Sequence, residues 1–269
     1  NICSSDFIRH ILLSEKIDTI LHFAAQSHVD NSFGNSFAFT KVNIFGTHVL
    51  LEAAYRCGIK RFIHVSTDEV YGENDGEHHN EEMVLEPTNP YSATKAAAEF
   101  IAKSYLRSFK LPLIITRGNN VFGPHQYPEK LIPKFICRLQ RKMPCCIHGN
   151  GEHTRSFIYV EDVARAFDLI LHKGTVGEIY NIGINVEQSN IKVAKDLIEL
   201  FGLKDEEKDL ITFVEDRKYN DRRYAIDSTK LNRLGWQPQI EWKEGLRRTI
   251  EWYRTNSENW GRSALETAL

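Results

Sequence analysis

The chain has 269 residues, 42% of them hydrophobic, with 34 lysines and arginines set against 36 aspartates and glutamates. That length builds one large domain or a domain with a smaller lobe, and a net charge of -2 without a basic stripe argues against nucleic acid as a partner and against a polyanionic substrate. No apolar run reaches the roughly 20 residues of a membrane-spanning helix, and Cys3, Cys57, Cys137, Cys145 and Cys146, an odd set with no CxxC spacing and no secretory leader, read as reduced thiols of a cytoplasmic protein.

Phe7, Ile8, Ile11, Leu12 and Leu13 recur at helical spacing behind Asp6, an acceptable N-cap. Residues 18–23 (DTILHF) then read as a buried strand, and the small Ala24 and Ala25 behind it would let a flat ligand, or equally a packing helix, lie close to the backbone. A helix is predicted over 36–57, with Phe39, Val42, Phe45, Val49, Leu50 and Ala53 on one side and Gly58 just past its end.

Residues 61–72, RFIHVSTDEVYG, follow. The apolar first half is a buried parallel strand and the second half turns polar at Thr67, Asp68 and Glu69. Ligands of open parallel sheets sit beyond the carboxyl ends of strands, so these three residues are candidates for a reaction centre; alone, an acidic pair there is also a common helix cap.

The acidic stretch 73–87 lacks periodicity and is a surface loop, whose adjacent His78 and His79 lack the further spaced ligands of a metal site. Pro90 opens a helix running to Phe109, which places Tyr91 and Lys95 on one face. A lysine charge beside a phenol favours tyrosinate and lowers its pKa, making a base for a substrate hydroxyl, although YxxxK on its own is more often an ordinary helix pair. A strand at 113–116, a long loop at 117–129, a helix at 131–141 and strands at 146–148, 157–160 and 179–182 around a helix at 163–171 come next. Helices near 190–201, 228–234 and 242–253 complete the chain. The expected fold is α/β, a Rossmann-like doubly wound parallel sheet over residues 1–144 with a smaller α/β substrate lobe over 145–269, some segments of which return to the first domain.

Seven segments, HFAAQSHVD (22–30), HVSTDEVYG (64–72), PYSATKAAAE (90–99), NNVFGPHQYPEKLIP (119–133), RSFIYVEDVARA (155–166), YNIG (180–183) and DRRYAID (221–227), carry a resemblance to the extended short-chain dehydrogenases/reductases. Within that group the chain resembles the nucleotide-sugar (dTDP- or UDP-glucose) 4,6-dehydratases. The resemblance implies an NAD-dependent hydro-lyase that oxidises glucose at C4, removes water across C5 and C6 and returns the hydride to C6. It implies Tyr91 with Lys95 as the base at the 4-hydroxyl, Thr67 and Ser66 at the emerging ketone, Glu69 as the base at C5 and Asp68 as the acid at the 6-hydroxyl. Two adjacent carboxylates suit this task, because like charges raise one pKa and leave one group protonated.

The same resemblance puts Ala24, Ala25, Ser27, Asn43 and Ser66 on the cofactor side. Asn120, Glu129, Lys130, Leu131, Arg155, Arg217 and Asn220 match positions that hold sugar and diphosphate, where a guanidinium grips phosphate oxygens in pairs. Cys146 and His148 stand where many members carry proline and tyrosine, and Asn220 where histidine is frequent, which leaves thymidine and uridine both open. A homodimer through the helices at 36–57 and 91–109 is the family expectation.

No GxxGxxG turn occurs. The expectation is therefore a piece of a longer dehydratase preceded by roughly 60 to 80 residues of two βα units, holding NAD poorly by itself, with the strand at 18–23 as an open sheet edge. Competing readings are a nucleotide-sugar 4-epimerase or decarboxylase, which needs no acid and base at C5 and C6, and a catalytically silent binding protein.

Overall fold

The computed structural model describes residues 1–74, 76–216, 219–256, 259–266 and 268–269. These group into two compact units, one formed by 1–118, 166–183 and 226–236, the other by 119–165, 184–225 and 237–269.

A four-stranded parallel sheet organises the first unit, ordered β1 (Thr19–His22), β2 (Arg61–Thr67), β3 (Leu113–Gly118) and β7 (Ile179–Ile182). Its strands are the apolar, β-branched runs that a doubly covered sheet requires: Phe62, Ile63, Leu113, Ile114 and Ile115 are all buried. Strand register sets Leu21 against Ile63, His22 against His64 and Thr67 against Gly118, so the polar ends of β2 and β3 finish together. Among the described residues β1 is an edge strand, paired with β2 alone.

Helices α1 (Ser5–Ser14), α4 (Thr47–Cys57) and α5 (Pro90–Phe109) bury Leu12, Leu50, Leu51, Ala54 and Ala102 in one core with Phe62, Leu113 and Ile115. The cap of α1 is Ser4 and not Asp6, which instead lies in the first turn, where its charge suits the helix dipole. The single helix predicted over 36–57 is built from three pieces, α3 (Ser36–Phe39), a π-helical turn, Thr40–Gly46, and α4, which ends at left-handed Gly58; a short helix α2 (Val29–Gly34) precedes them.

The second unit carries two small sheets. One pairs β4 (Asn120–Phe122) with β6 (Thr154–Tyr159) in parallel and β6 with β8 (Glu187–Ser189) antiparallel; the other pairs β5 (Cys145–His148) with β9 (Ile211–Val214). The stretch read as a loop over 117–129 thus contains β4: it is three residues long, too short to show a period. Helices α6 (Leu131–Leu139), α8 (Asn190–Leu200) and α10 (Trp242–Asn256) supply Phe135, Ile136, Leu197, Leu246 and Tyr253 to this unit's core. The helix read at 163–171 extends over Val160–Lys173 as α7, and α9 (Thr229–Arg233) and α11 (Arg262–Glu266) are single short turns. All five cysteines are unpaired. No helix among the described residues is long and apolar enough to cross a membrane.

Two histidines are buried side by side under the sheet's polar end, their rings 5.6 Å apart. His22 shares a 2.9 Å hydrogen bond with Thr47 Oγ1, while both ring nitrogens of His64 lack a partner. Burial, with the Lys95 charge second, pulls His22 from 6.5 to about 3; burial, Lys95 and His22 hold His64 well below its ordinary value. Below pH 6.5 the unfolded chain therefore takes up protons that the folded chain refuses, and stability drops as pH falls, by up to about 1.4 kcal/mol per pH unit for each histidine. Urea midpoints measured between about pH 4 and 6.5 should fall steeply in the parent and less steeply in His64→Phe. Equal slopes would show that His64 is charged in the folded chain.

Candidate active site

The first unit assembles the centre at the carboxyl end of β2. The strand ends at Thr67 and passes directly into a 3₁₀ turn, Asp68–Tyr71, whose first donor is capped when Glu69 N–H bonds Thr67 Oγ1 at 3.3 Å. Thr67 Oγ1 in turn lies 3.3 Å from Asp68 Oδ1. Gly72 closes the turn at φ +83, and a Cβ there would run into the Glu86 carbonyl, so glycine alone fits. Asp68 is buried and Glu69 half-buried.

Helix α5 faces this turn. Asn89 caps it twice over: its Oδ1 accepts from Ser92 N–H at 2.9 Å, and Ser92 Oγ accepts from Asn89 N–H at 3.2 Å. Proline at the first helical position needs no donor. The remaining amide group of Asn89 donates to Glu69 Oε2 at 3.2 Å, tying the carboxylate to the helix that bears Tyr91. Tyr91 and Lys95 are both buried. Thr67, Glu69 and Asp68 all lie near enough to shift the phenol, which brings Tyr91, Thr67, Asp68 and Glu69 into one cluster. Lys95 donates to the Val65 carbonyl at 2.6 Å.

The expected direction of the Tyr91 shift is overturned. Burial, then Glu69, then Asp68 push the phenol above its ordinary 10, against a smaller downward pull from Thr67. Lys95, which donates to a backbone carbonyl, has its own pKa lowered by burial from 10.5 to about 8 despite the Glu99 charge one turn away.

On the other side of α5 the π turn presents Asn43. It is buried and clamps one backbone position, accepting from Gln26 N–H at 2.8 Å and donating to Gln26 carbonyl at 3.0 Å, while a second donor bond reaches Thr94 at 3.0 Å. Ala24 and Ser27 are exposed and Ala25 half-buried in this same segment after β1. Ser66 Oγ is buried without a hydrogen-bond partner. Asn89, Thr94 and Gln26 were not picked out from sequence; the Asn-Pro cap was the available signal for the first, and nothing marked the other two.

Of the remaining candidates, six lie in the second unit. Asn120 starts β4 in register with Phe157, two residues from Arg155. Glu129 and Lys130 precede α6, and Leu131 is its first residue. Arg155 stacks 4.6 Å over the Tyr224 ring and reaches Asn220 Oδ1 at 3.4 Å; Asn220 donates to Asp216 at 2.9 Å. Arg217 lies outside the described residues. Among the described residues no group of three or more histidine, cysteine, aspartate or glutamate side chains could hold a metal ion.

Comparison with known proteins gives a consistent set of likenesses. The profile of the GDP-mannose 4,6 dehydratase family matches residues 1–249. A trifunctional UDP-glucose 4,6-dehydratase/UDP-4-keto-6-deoxy-D-glucose 3,5-epimerase/UDP-4-keto-L-rhamnose-reductase of Arabidopsis thaliana is 56% identical over 267 residues, covering 97% of this chain and 39% of the relative. The chain thus spans about two fifths of that relative's length. A dTDP-D-glucose 4,6-dehydratase of Homo sapiens is 51% identical over 263 residues, covering 97% of this chain and 75% of the relative. The crystal structure of a dTDP-glucose 4,6-dehydratase from Streptomyces venezuelae with NAD bound superposes with a TM-score of 0.93 at 38% identity, over 98% of this chain and 80% of that one. The fold is accordingly the parallel-sheet, Rossmann-like α/β arrangement of these enzymes.

The Lys95 environment has a measurable consequence. Between about pH 8 and its ordinary 10.5 the unfolded chain holds a proton that the folded chain has released. Stability should therefore rise with pH through this window, by up to about 1.4 kcal/mol per unit from this group. Lys95→Met should remove that rise in denaturant titrations, and an unchanged rise would mean that Lys95 titrates normally.

Proposed function

The chain belongs to the GDP-mannose 4,6 dehydratase family, and on that footing we propose that it is a nucleotide-glucose 4,6-dehydratase acting on UDP- or dTDP-glucose. The observation that carries this reading is the single cluster of Thr67, Asp68, Glu69 and the Tyr91 phenol. Beyond the hydride acceptor, an oxidation at C4 asks of the protein only a tyrosine and its hydroxyl partner. An acid and a base beside them suit the loss of water across the neighbouring C5 and C6.

The residues present fit the nicotinamide end of NAD: small Ala24 and Ala25 leave backbone accessible, the orphaned Ser66 Oγ is available as a polar contact, and Lys95 is a buried donor. Ser27, Asn43 and Tyr91 complete the set that would hold it. NAD, when bound, supplies the reversible two-electron oxidation at C4. Tyr91 accepts the proton of the 4-hydroxyl, and Thr67, close beside the phenol, holds that oxygen in place. Because its surroundings favour the neutral phenol, Tyr91 depends on Lys95 remaining cationic, a condition met below about pH 8. Once C4 is a ketone the C5 proton is acidic; Glu69, fixed by Asn89, takes it. Asp68, buried against Thr67, gives a proton to the 6-hydroxyl, which leaves as water. In the second unit Arg155, Asn120, Glu129, Lys130, Leu131, Arg217 and Asn220 would hold sugar and diphosphate, and a guanidinium such as Arg155 suits the phosphate oxygens.

A homodimer is part of the proposal. Phe37, Phe45, Tyr55, Phe100 and Phe109 are exposed on α3, the π turn, α4 and α5, and the Tyr55 and Phe109 rings touch at 4.8 Å. An apolar surface of this kind suits a second copy of the chain. The five unpaired cysteines are in keeping with a cytoplasmic setting.

Turnover of UDP- or dTDP-glucose in heavy water should yield a 4-keto-6-deoxy sugar carrying deuterium at C5, whereas a 4-epimerase would leave C5 unlabelled. Glu69→Gln should slow elimination by about 10²–10⁴-fold, and elimination at the parent rate would remove the base assigned at C5. Sedimentation should give a dimer that Phe100→Glu shifts toward monomer; a parent that sediments only as monomer would end the dimer proposal.

A further inference from the structure

Behind the reaction centre, and outside the roles assigned above, lies a chain of buried polar groups. Tyr71 is the last residue of the turn that carries Asp68 and Glu69. Its ring is buried, and its hydroxyl is used in both senses, accepting from Arg117 Nη1 at 2.8 Å and donating to Asn181 Oδ1 at 2.8 Å. The Arg117 guanidinium stacks over the same ring at 4.6 Å. Its other edge grips Glu99, with Nε on Oε1 at 3.1 Å and Nη2 on Oε2 at 2.7 Å. Glu99 belongs to α5, one turn beyond Lys95 and two beyond Tyr91, so it shares their face.

We propose that Tyr71 and Arg117 are positioning residues that couple the two halves of the centre, holding the Asp68–Glu69 turn to the helix face that bears Tyr91 and Lys95. The inference rests on the dehydration reading. Its physical basis is geometric: the turn and the helix belong to different parts of the chain, and the orders of reaction demand that the C5 base and the 6-hydroxyl acid meet the same sugar that Tyr91 has just oxidised. Asn89 secures Glu69 from the front of the turn. The Tyr71–Arg117–Glu99 chain secures its back. A buried ion pair is a poor source of net stability, which makes its placement at the junction of turn and helix more informative than its strength. Arg117 also fixes the direction of the tyrosine proton, because a guanidinium can only donate.

Tyr71→Phe keeps the ring and its stacking surface and removes only the bridging hydroxyl. In single-turnover measurements C4 oxidation, followed by absorbance of the reduced nicotinamide, should stay within about twofold of the parent. Elimination, followed by deuterium entry at C5 and loss of the 6-hydroxyl, should slow about tenfold or more, since small misplacements of reacting groups are costly. The 4-keto glucose compound should then accumulate. A purely structural role would slow both steps by the same factor, and that result, or elimination at the parent rate, overturns the proposal. Amide hydrogen exchange tests the coupling without turnover: Glu69 and Val70 should exchange faster in Tyr71→Phe while the amides of 95–99 stay protected, and unchanged exchange in the turn also overturns it. If the parent protein forms no 4-keto product the dehydratase reading fails, and the exchange measurement still decides the coupling.

Discussion

A guanidinium that is 1% exposed beside a carboxylate that is 0% exposed is the constraint around which the first unit is arranged. Neither Arg117 nor Glu99 could be buried alone; stranding one charge costs about 3–5 kcal/mol. Strand β3, helix α5 and the turn after β2 must therefore arrive at one point with their polar groups matched. Arg117 satisfies this by spreading its donors over Glu99, Tyr71 and the Glu81 carbonyl. Tyr71 passes the requirement on to Asn181 of β7, whose side-chain amide in turn donates to the carbonyls of His79 and Asp227. A row of contacts thus crosses the ends of three adjacent elements of the sheet, next to the candidate site.

Several groups of the candidate centre are each tied to a neighbouring element of the fold. Glu69 is fixed by the residue that caps α5, Lys95 by a carbonyl of β2, and Asn43 by both polar atoms of a single peptide position. Burial first and the two carboxylates after it raise the phenol's pKa, with Thr67 pulling the other way.

The parts of this arrangement legible in the sequence were those written in a local pattern. The apolar run before Ser66-Thr67, the four-residue spacing of Tyr91 and Lys95, and the Gly58 stop each act over a few residues and survive in the structure. What was misread depends on contacts distant in sequence. The direction of the Tyr91 shift is set by what covers the phenol, and a helical spacing carries no information about burial. Arg117 sat at the end of an apolar strand, LIITR, and Glu99 inside an alanine-rich helix; each is an unremarkable charge until the fold places them 2.7 Å apart. The strand Asn120–Phe122 escaped notice because three residues cannot display a period of two.

The π turn at Thr40–Gly46 bears on which changes in length this protein can absorb. A wide turn holds one residue more than an α-helical one, and each residue rotates the helix by on the order of 100°. Asn43, clamped to Gln26, and Thr47, bonded to His22, face their partners only because that extra residue is present. Losing a single codon between 40 and 46 would restore a regular helix and turn one of these two contacts toward solvent. Conservative replacements along this stretch are thus tolerable in a way that a one-residue deletion is not, and divergence here should proceed by substitution at constant spacing.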